Sequence, residues 1–277
     1  MTAPRPALDT PTQHRLGRET VILLHSSAAS ARQWDALAER LRPAFEVHAI
    51  DLHGHGQQAG WGSERALSVH DDAALALPAI ERAGAAHLIG HSYGGAVAMH
   101  LAAARPSLVR SLAVYEPVLF RLLADHEPHG AAAREAFDLA AHMRALVASG
   151  QAAAAAEHFV DYWSGASAWA GLAPHRQGAV VSRMPVVVQH FDTLHAEALP
   201  TARLTMPVLC LSGGRSTAAA QRIAGLLRSL LPGAQHETLA GLGHMGPITH
   251  APLVNDRLLR FHGLDQPRVR EHAAALA

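Results

Sequence analysis

From about residue 20 to residue 117, short apolar runs alternate with stretches of helical spacing. Val21-Ile22-Leu23-Leu24 reads as a strand buried on both faces, and residues 31–41 predict a helix after it. Residues 46–50, 87–89 and 111–115 repeat the strand pattern, with helical spacing over 66–83 and 92–104 between them. Such a rhythm predicts an α/β fold: a mostly parallel, doubly wound sheet with helices on both faces. From about 118 to 199 only helical patterns occur, including the alanine tract at 152–156. Alternation then resumes, with strands at 208–211 and 237–239 and helices at 217–231 and 251–261. The expected organisation is a core of residues 20–117 and 200–262, a helical cap inserted at 118–199, and terminal segments 1–19 and 263–277.

Composition narrows the function classes. The chain has 277 residues, enough for one large domain or a core carrying an insertion. Formal net charge is zero, so nothing recommends a nucleic-acid partner or an acidic membrane surface. All 23 basic residues are arginine, which excludes lysine-based Schiff-base or general-base chemistry. Cys210 stands alone inside an apolar run, as a buried small hydrophobe would, and an internal disulfide is excluded. The first 19 residues are Pro-rich and polar without a secretory pattern, and no apolar run is long enough for a membrane span. A soluble cytoplasmic protein is expected.

The strongest chemical signal is Gly90-His91-Ser92-Tyr93-Gly94-Gly95. It matches Gly-x-Ser-x-Gly directly after an apolar strand and directly before a helix, the context that turns a common pattern into a nucleophile elbow. A sharp turn there projects the serine hydroxyl from the carboxyl end of the strand, at the positive end of the following helix.

In this respect the chain resembles the α/β-hydrolase superfamily, over almost its whole length. His25-Ser26-Ser27 follows the first strand where the family usually carries His-Gly, and Asp51-Leu52-His53-Gly54-His55-Gly56 matches a turn that is structural in the family. The resemblance implies an oxyanion hole built from the amides of Tyr93 and of Ser27 or its neighbour Ser26, with His25 and Ser26 near the substrate. It also places the catalytic histidine at His244, in Gly241-Leu242-Gly243-His244-Met245-Gly246, ahead of His250 six residues on. Those six residues match Gly-x-Gly-x-x-Gly too. A dinucleotide fingerprint must open a strand–helix–strand unit, however, and here Pro247 and Pro252 follow with no further strand.

The family's commonest acid position, after the strand that follows the cap, is occupied by Ser216, which carries no charge. Some relatives place the acid one core strand earlier, where this chain has Tyr115-Glu116-Pro117. Glu116 is therefore the expected partner of His244, with Asp192 and Asp256 as alternatives. Seven or eight strands are implied, although the segment before Val21 is short for the antiparallel pair that usually opens the fold.

Other constellations carry less. His53-Gly54-His55 is half of a binuclear metal pattern whose other half is absent, and His190 and His195 do not share a helical face. Neither a metal nor a cofactor is expected. Phe159, Tyr162, Trp163 and Trp169 form either the insert's own core or an apolar wall facing Ser92. The leading expectation is a serine hydrolase of an ester, thioester or related acyl bond, carbon–carbon cleavage included, in a small apolar molecule. Epoxide hydrolysis and dehalogenation are disfavoured, because such relatives use aspartate at the elbow. The alternatives are a hydrolase-like ligand-binding or signalling protein with little turnover, and an acyltransferase. Monomer and homodimer are equally compatible with the sequence.

Overall fold

The computed structural model describes residues 17–264. The expected terminal segments lie largely outside these residues. Six strands make one fully parallel sheet: β1 (Thr20–Leu24), β2 (Glu46–Ile50), β3 (Ala86–His91), β4 (Val109–Tyr115), β5 (Val208–Gly213) and β6 (Gln235–Leu239). Their order is β2-β1-β3-β4-β5-β6. The seven or eight strands expected are thus six among the described residues. Only three described residues precede β1, too few for an antiparallel pair.

Side chains alternate across the sheet, and each face buries one set. Ile22, Leu24, Leu88, Leu112 and Val114 join one core cluster, whereas Val21, Leu23, Ile89, Ala113 and Leu209 join the other. The second cluster is closed by α1 (Asp35–Leu41) and α11 (Ala251–Phe261), through Leu37, Leu41, Val254 and Leu258. The first is covered by α2 (Val69–Ala74), α3 (Leu77–Ala83), α4 (Tyr93–Ala104) and α9 (Ala218–Leu230). With both faces covered, β1, β3 and β4 are nearly continuous apolar runs, and the edge strands β2 and β6 stay partly exposed. The single helix predicted over 66–83 is two. Ser68 caps α2 in a capping box with Asp71, and Pro78 in the first turn of α3 has no amide hydrogen to continue the earlier ladder.

Between β4 and β5 the chain is helical: α5 (Phe120–His126), α6 (Ala131–Ala148), α7 (Ala152–Ser164) and α8 (Pro174–Ala196). These helices bury Leu139, Met143, Phe159, Trp163, Met184 and Phe191 in the same core cluster as the sheet face beneath. The insert is therefore packed onto the sheet. A short helix, α10 (Gly246–Thr249), follows the loop after β6. Among the described residues no helix is long and apolar enough to cross a membrane. Cys210 is buried, and burial pushes its thiol up to about 12, so no thiolate is available near neutral pH.

Strand order decides where a site can form. From β1 the chain moves outward to β2 and returns on the other side as β3, so the loops leaving β1 and β3 diverge and open a crevice at the strands' carboxyl ends. Leu23 lies in β1 with no exposed surface. Leu23→Ala should therefore cost about 2–5 kcal/mol of stability, measured by urea unfolding. A loss below ~1 kcal/mol would mean that this face of the sheet is not close-packed.

Candidate active site

At the crevice, β3 turns into α4 through Ser92, whose backbone sits at φ 57° and ψ −121°. That conformation is strained for a residue with a side chain, and its surroundings hold it. The Ser92 amide donates to Tyr115 O at 3.0 Å, and its carbonyl accepts from Val118 N at 3.2 Å. The two motif glycines have steric causes. A Cβ on Gly90 would lie 2.4 Å from Gly94 O, and one on Gly94 would lie 2.3 Å from His25 O. Helix α4 thus rests directly on the end of β1. The Tyr93 amide occupies its first turn, where the helix itself provides no acceptor.

Across the crevice, His244 Nε2 lies 2.9 Å from Ser92 Oγ. Its Nδ1–H donates to Glu116 Oε2 at 2.7 Å, and Glu116 Oε1 accepts from the Gly213 amide at 2.6 Å. All three side chains are buried. Glu116 leaves β4 at φ 41°, and β4 pairs with β5, so its carboxylate reaches the end of the neighbouring strand, just before the turn that carries Ser216. The His244 loop is pinned from two sides. Tyr115 Oη donates to Gly243 O at 2.8 Å, and His91 Nε2–H donates to His244 O at 2.9 Å. Neither alternative acid reaches the imidazole: Asp192 pairs with Arg144, and Asp256 pairs with Arg40 at 2.7 Å. His250 is exposed beyond α10 and bonds Thr249.

Four buried imidazoles, His25, His55, His91 and His190, brace the site, and three of them hydrogen-bond to the loop after β1. His25 has no exposed surface; its Nδ1–H donates to Ser26 O at 2.7 Å and its Nε2 accepts from Leu52 N at 3.1 Å. Both ring nitrogens are spent on backbone, which corrects the expectation that His25 binds substrate. The Ser26 amide and hydroxyl both donate to Gln33 Oε1, at 3.1 and 2.9 Å, so of the two candidate amides Ser26's is already committed. Gln33 Nε2–H then donates to His91 Nδ1 at 3.1 Å, tying this loop to the His244 loop. Ser27 Oγ donates to His190 Nδ1 at 2.7 Å, and the Ala28 amide donates to His55 Nε2 at 3.0 Å. Asp51 accepts from the Ala31 and Gln57 amides at 2.7 and 2.9 Å, a structural role. His53 donates to buried Asp72 at 2.9 Å, and among the described residues no cluster of three or more His, Cys, Asp or Glu could hold a metal ion.

A cleft of about 560 Å³ opens beside the site, walled by Ser26, Ser27, Trp163, Met245 and residues of α7 and α8. Trp163 stacks on His244 with ring centroids 4.0 Å apart. Ser92 beneath is only 6% exposed. The two readings of the aromatic group therefore divide by residue. Phe159 and Trp163 line the cleft, whereas Tyr162 points the other way and its hydroxyl donates to Glu135 at 2.5 Å. Trp169 is absent from the cleft wall; its amide donates to Asp161 at 2.8 Å. Tyr162 and Trp169 are thus corrected as substrate contacts, because α7 turns Tyr162 toward α6 and Trp169 lies in the α7–α8 connection outside the cleft wall. Sequence reasoning missed Gln33, His91, His190, Arg176 and Arg183. His91 adjoins Ser92, and Arg176 and Arg183 share a face of α8 with Val180, so those three had a local signal.

A parallel, doubly wound sheet with a serine held at a strained strand–helix turn after β3 is the architecture of the α/β hydrolases. The model of the alpha/beta hydrolase family matches residues 21–257, and the chain belongs to that family. It is 30% identical over 258 residues to a pimeloyl-(acyl-carrier protein) methyl ester esterase of Xanthomonas oryzae pv. oryzae, covering 87% of this chain and 94% of the relative. It is 38% identical over 103 residues to lipase LipV of Mycobacterium tuberculosis, spanning 37% of this chain but only 39% of that protein's length. A hydrolase from Pseudomonas aeruginosa superposes with a TM-score of 0.72 at 20% identity, covering 89% of this chain and 90% of that one. The enol-lactonase of Burkholderia xenovorans gives 0.67 at 17%, covering 89% and 92%. At such identities these two structures speak for the fold alone.

The braces impose a pH dependence on stability. Burial is the main cause that lowers His25 from 6.5 to about 3, with His55 nearby as the next, and it also lowers His55, His91 and His190. Below pH 6.5 the unfolded chain takes up protons that the folded chain refuses. Stability is therefore full above that value and falls as pH drops toward the folded-state values, by up to about 1.4 kcal/mol per pH unit for each histidine. Urea midpoints should be nearly flat above about pH 7 and drop steeply between about pH 6.5 and 4. A midpoint constant across that window would contradict neutral, buried braces.

Proposed function

We propose that this α/β hydrolase cleaves carboxylic esters of small molecules through Ser92, His244 and Glu116. The observation that carries the reading is the continuous relay from Ser92 Oγ through His244 to Glu116, with the serine held at the strained elbow. Relatives named as a methyl ester esterase and a lipase support ester cleavage over the other acyl bonds.

In the proposed mechanism, His244 Nε2 takes the Ser92 proton as Oγ attacks the ester carbonyl. The carboxylate of Glu116 holds the imidazole with Nδ1–H inward and stabilises the imidazolium that forms. Charge on the carbonyl oxygen is met by the amides of Tyr93 and Ser27. His244 then returns the proton to the departing alcohol. Water, activated by the same imidazole, releases the acid from Ser92. The step needs no cofactor. Helices α5–α8 act as a cap, with Trp163 excluding water from the imidazole face.

The binding-protein alternative rested on the uncharged Ser216 and on the altered His25-Ser26-Ser27 loop, and Glu116 at 2.7 Å from His244 speaks against the first of these. Ser92→Ala should reduce hydrolysis of p-nitrophenyl butyrate to background while the circular dichroism stays unchanged. Glu116→Gln should lower kcat by about 10²- to 10⁴-fold. Retention of a tenth of the activity by Ser92→Ala would overturn the nucleophile. Unaltered turnover in Glu116→Gln would overturn the acid.

A further inference from the structure

The cleft wall has an uneven charge. Arg32, Arg176 and Arg183 line it, and no aspartate or glutamate does. Arg176 and Arg183 stand seven residues apart on α8, which places them on one face about 10 Å apart along the helix axis. Ala179 and Val180 lie between them on α8 and Leu172 in the preceding connection adds to the wall, so two cations are spaced along an apolar stripe that looks into the cleft. Arg183 is half-buried and donates one N–H to Ala28 O at 2.7 Å, beside the Ser27 amide. Its other N–H groups stay available on the cleft side. Asp51 is close enough to favour its charge but does not reach the cleft, since its oxygens accept from the amides of Ala31 and Gln57. Arg176 is exposed at the mouth, with no carboxylate partner among the described residues. Several other arginines are paired with carboxylates, Arg40 with Asp256, Arg144 with Asp192 and Arg257 with Glu237 among them, and on the cleft wall Arg32 lies 3.8 Å from Asp35.

A guanidinium beside an apolar wall, partly stripped of water and with no carboxylate in contact with it, is best satisfied by a carboxylate or phosphate that accepts two N–H groups at once. We propose that this face of α8 is an anion subsite, and that the natural ester carries a carboxylate or phosphate away from the scissile bond, gripped by Arg183 and Arg176. The apolar stripe between them holds the connecting carbon chain. Arg183, bonded to the Ala28 carbonyl one residue past Ser27, reads the charge of a short substrate; Arg176, two turns outward, reads that of a longer one. The subsite rests on the serine-ester reading above, since it selects which ester reaches Ser92.

The test compares esters of equal carbon count: p-nitrophenyl hexanoate, the mono-p-nitrophenyl ester of adipic acid, and p-nitrophenyl 6-phosphohexanoate. In the natural chain kcat/KM for at least one anionic ester should exceed that for the hexanoate by about tenfold or more, mainly through KM. The larger gain identifies the anion. Arg176→Gln should shrink that ratio several-fold, and Arg176→Glu should bring it below one, with added salt weakening the natural preference. Equal kcat/KM for charged and neutral esters, or a ratio untouched in both variants, would overturn the subsite and leave the esterase reading standing. No hydrolysis of any of the three would overturn the esterase reading itself.

Discussion

The site depends on how closely α4 approaches the end of β1. Gly94 lies against the carbonyls of Leu24 and His25, and a single methyl group there would intrude to 2.3 Å. This approach, with that of Gly90 to Gly94, forces the sharp turn that leaves Ser92 at positive φ. The same contact sets the end of β1 beside the first turn of α4, two segments far apart in sequence. Parallel strand order makes this workable, because β1 and β3 are neighbours whose following loops diverge.

Around that contact, hydrogen bonds replace charge. Imidazoles kept neutral by burial fasten backbone to backbone: His25 to the β2 loop, His55 to Ala28, and His91 to the carbonyl of His244. A neutral imidazole offers one donor and one acceptor, so it can bridge two loops without the desolvation cost of an ion. Gln33 extends the scheme by linking the oxyanion loop to His91, and through it to His244. The one buried carboxylate at the relay, Glu116, is shared between the Gly213 amide and His244. Glutamate on β4 does this because β4 and β5 run side by side, so the two possible acid positions open onto one imidazole.

Much of this was legible because its causes are local. A run of apolar residues followed by Gly-x-Ser-x-Gly and small residues dictates strand, elbow and helix within one stretch of chain. The loop bearing His244 had a similar position between the last strand and helix. Glu116 came from the family resemblance, in which some relatives carry the acid one core strand earlier, once Ser216 could not supply a carboxylate. What stayed hidden depends on contacts between distant segments. Ser27 meets His190 across 163 positions and Arg183 meets Ala28 across 155, and no periodicity reports such pairs. Helix phase on α7 decides that Trp163 stacks on His244 while its neighbour Tyr162 turns away to Glu135. The break between α2 and α3 was overlooked for a simpler reason: helical spacing was read through Pro78.

The central claim is that burial, strain and the relay to His244 make Ser92 a nucleophile. Intact-mass labelling of the natural chain and Ser92→Ala with a small fluorophosphonate tests it most directly, because the reagent needs an activated serine and no knowledge of the substrate. The account predicts rapid addition of one label to the natural chain and none to the variant. Equal labelling of the two proteins, or none of the natural chain, would contradict it.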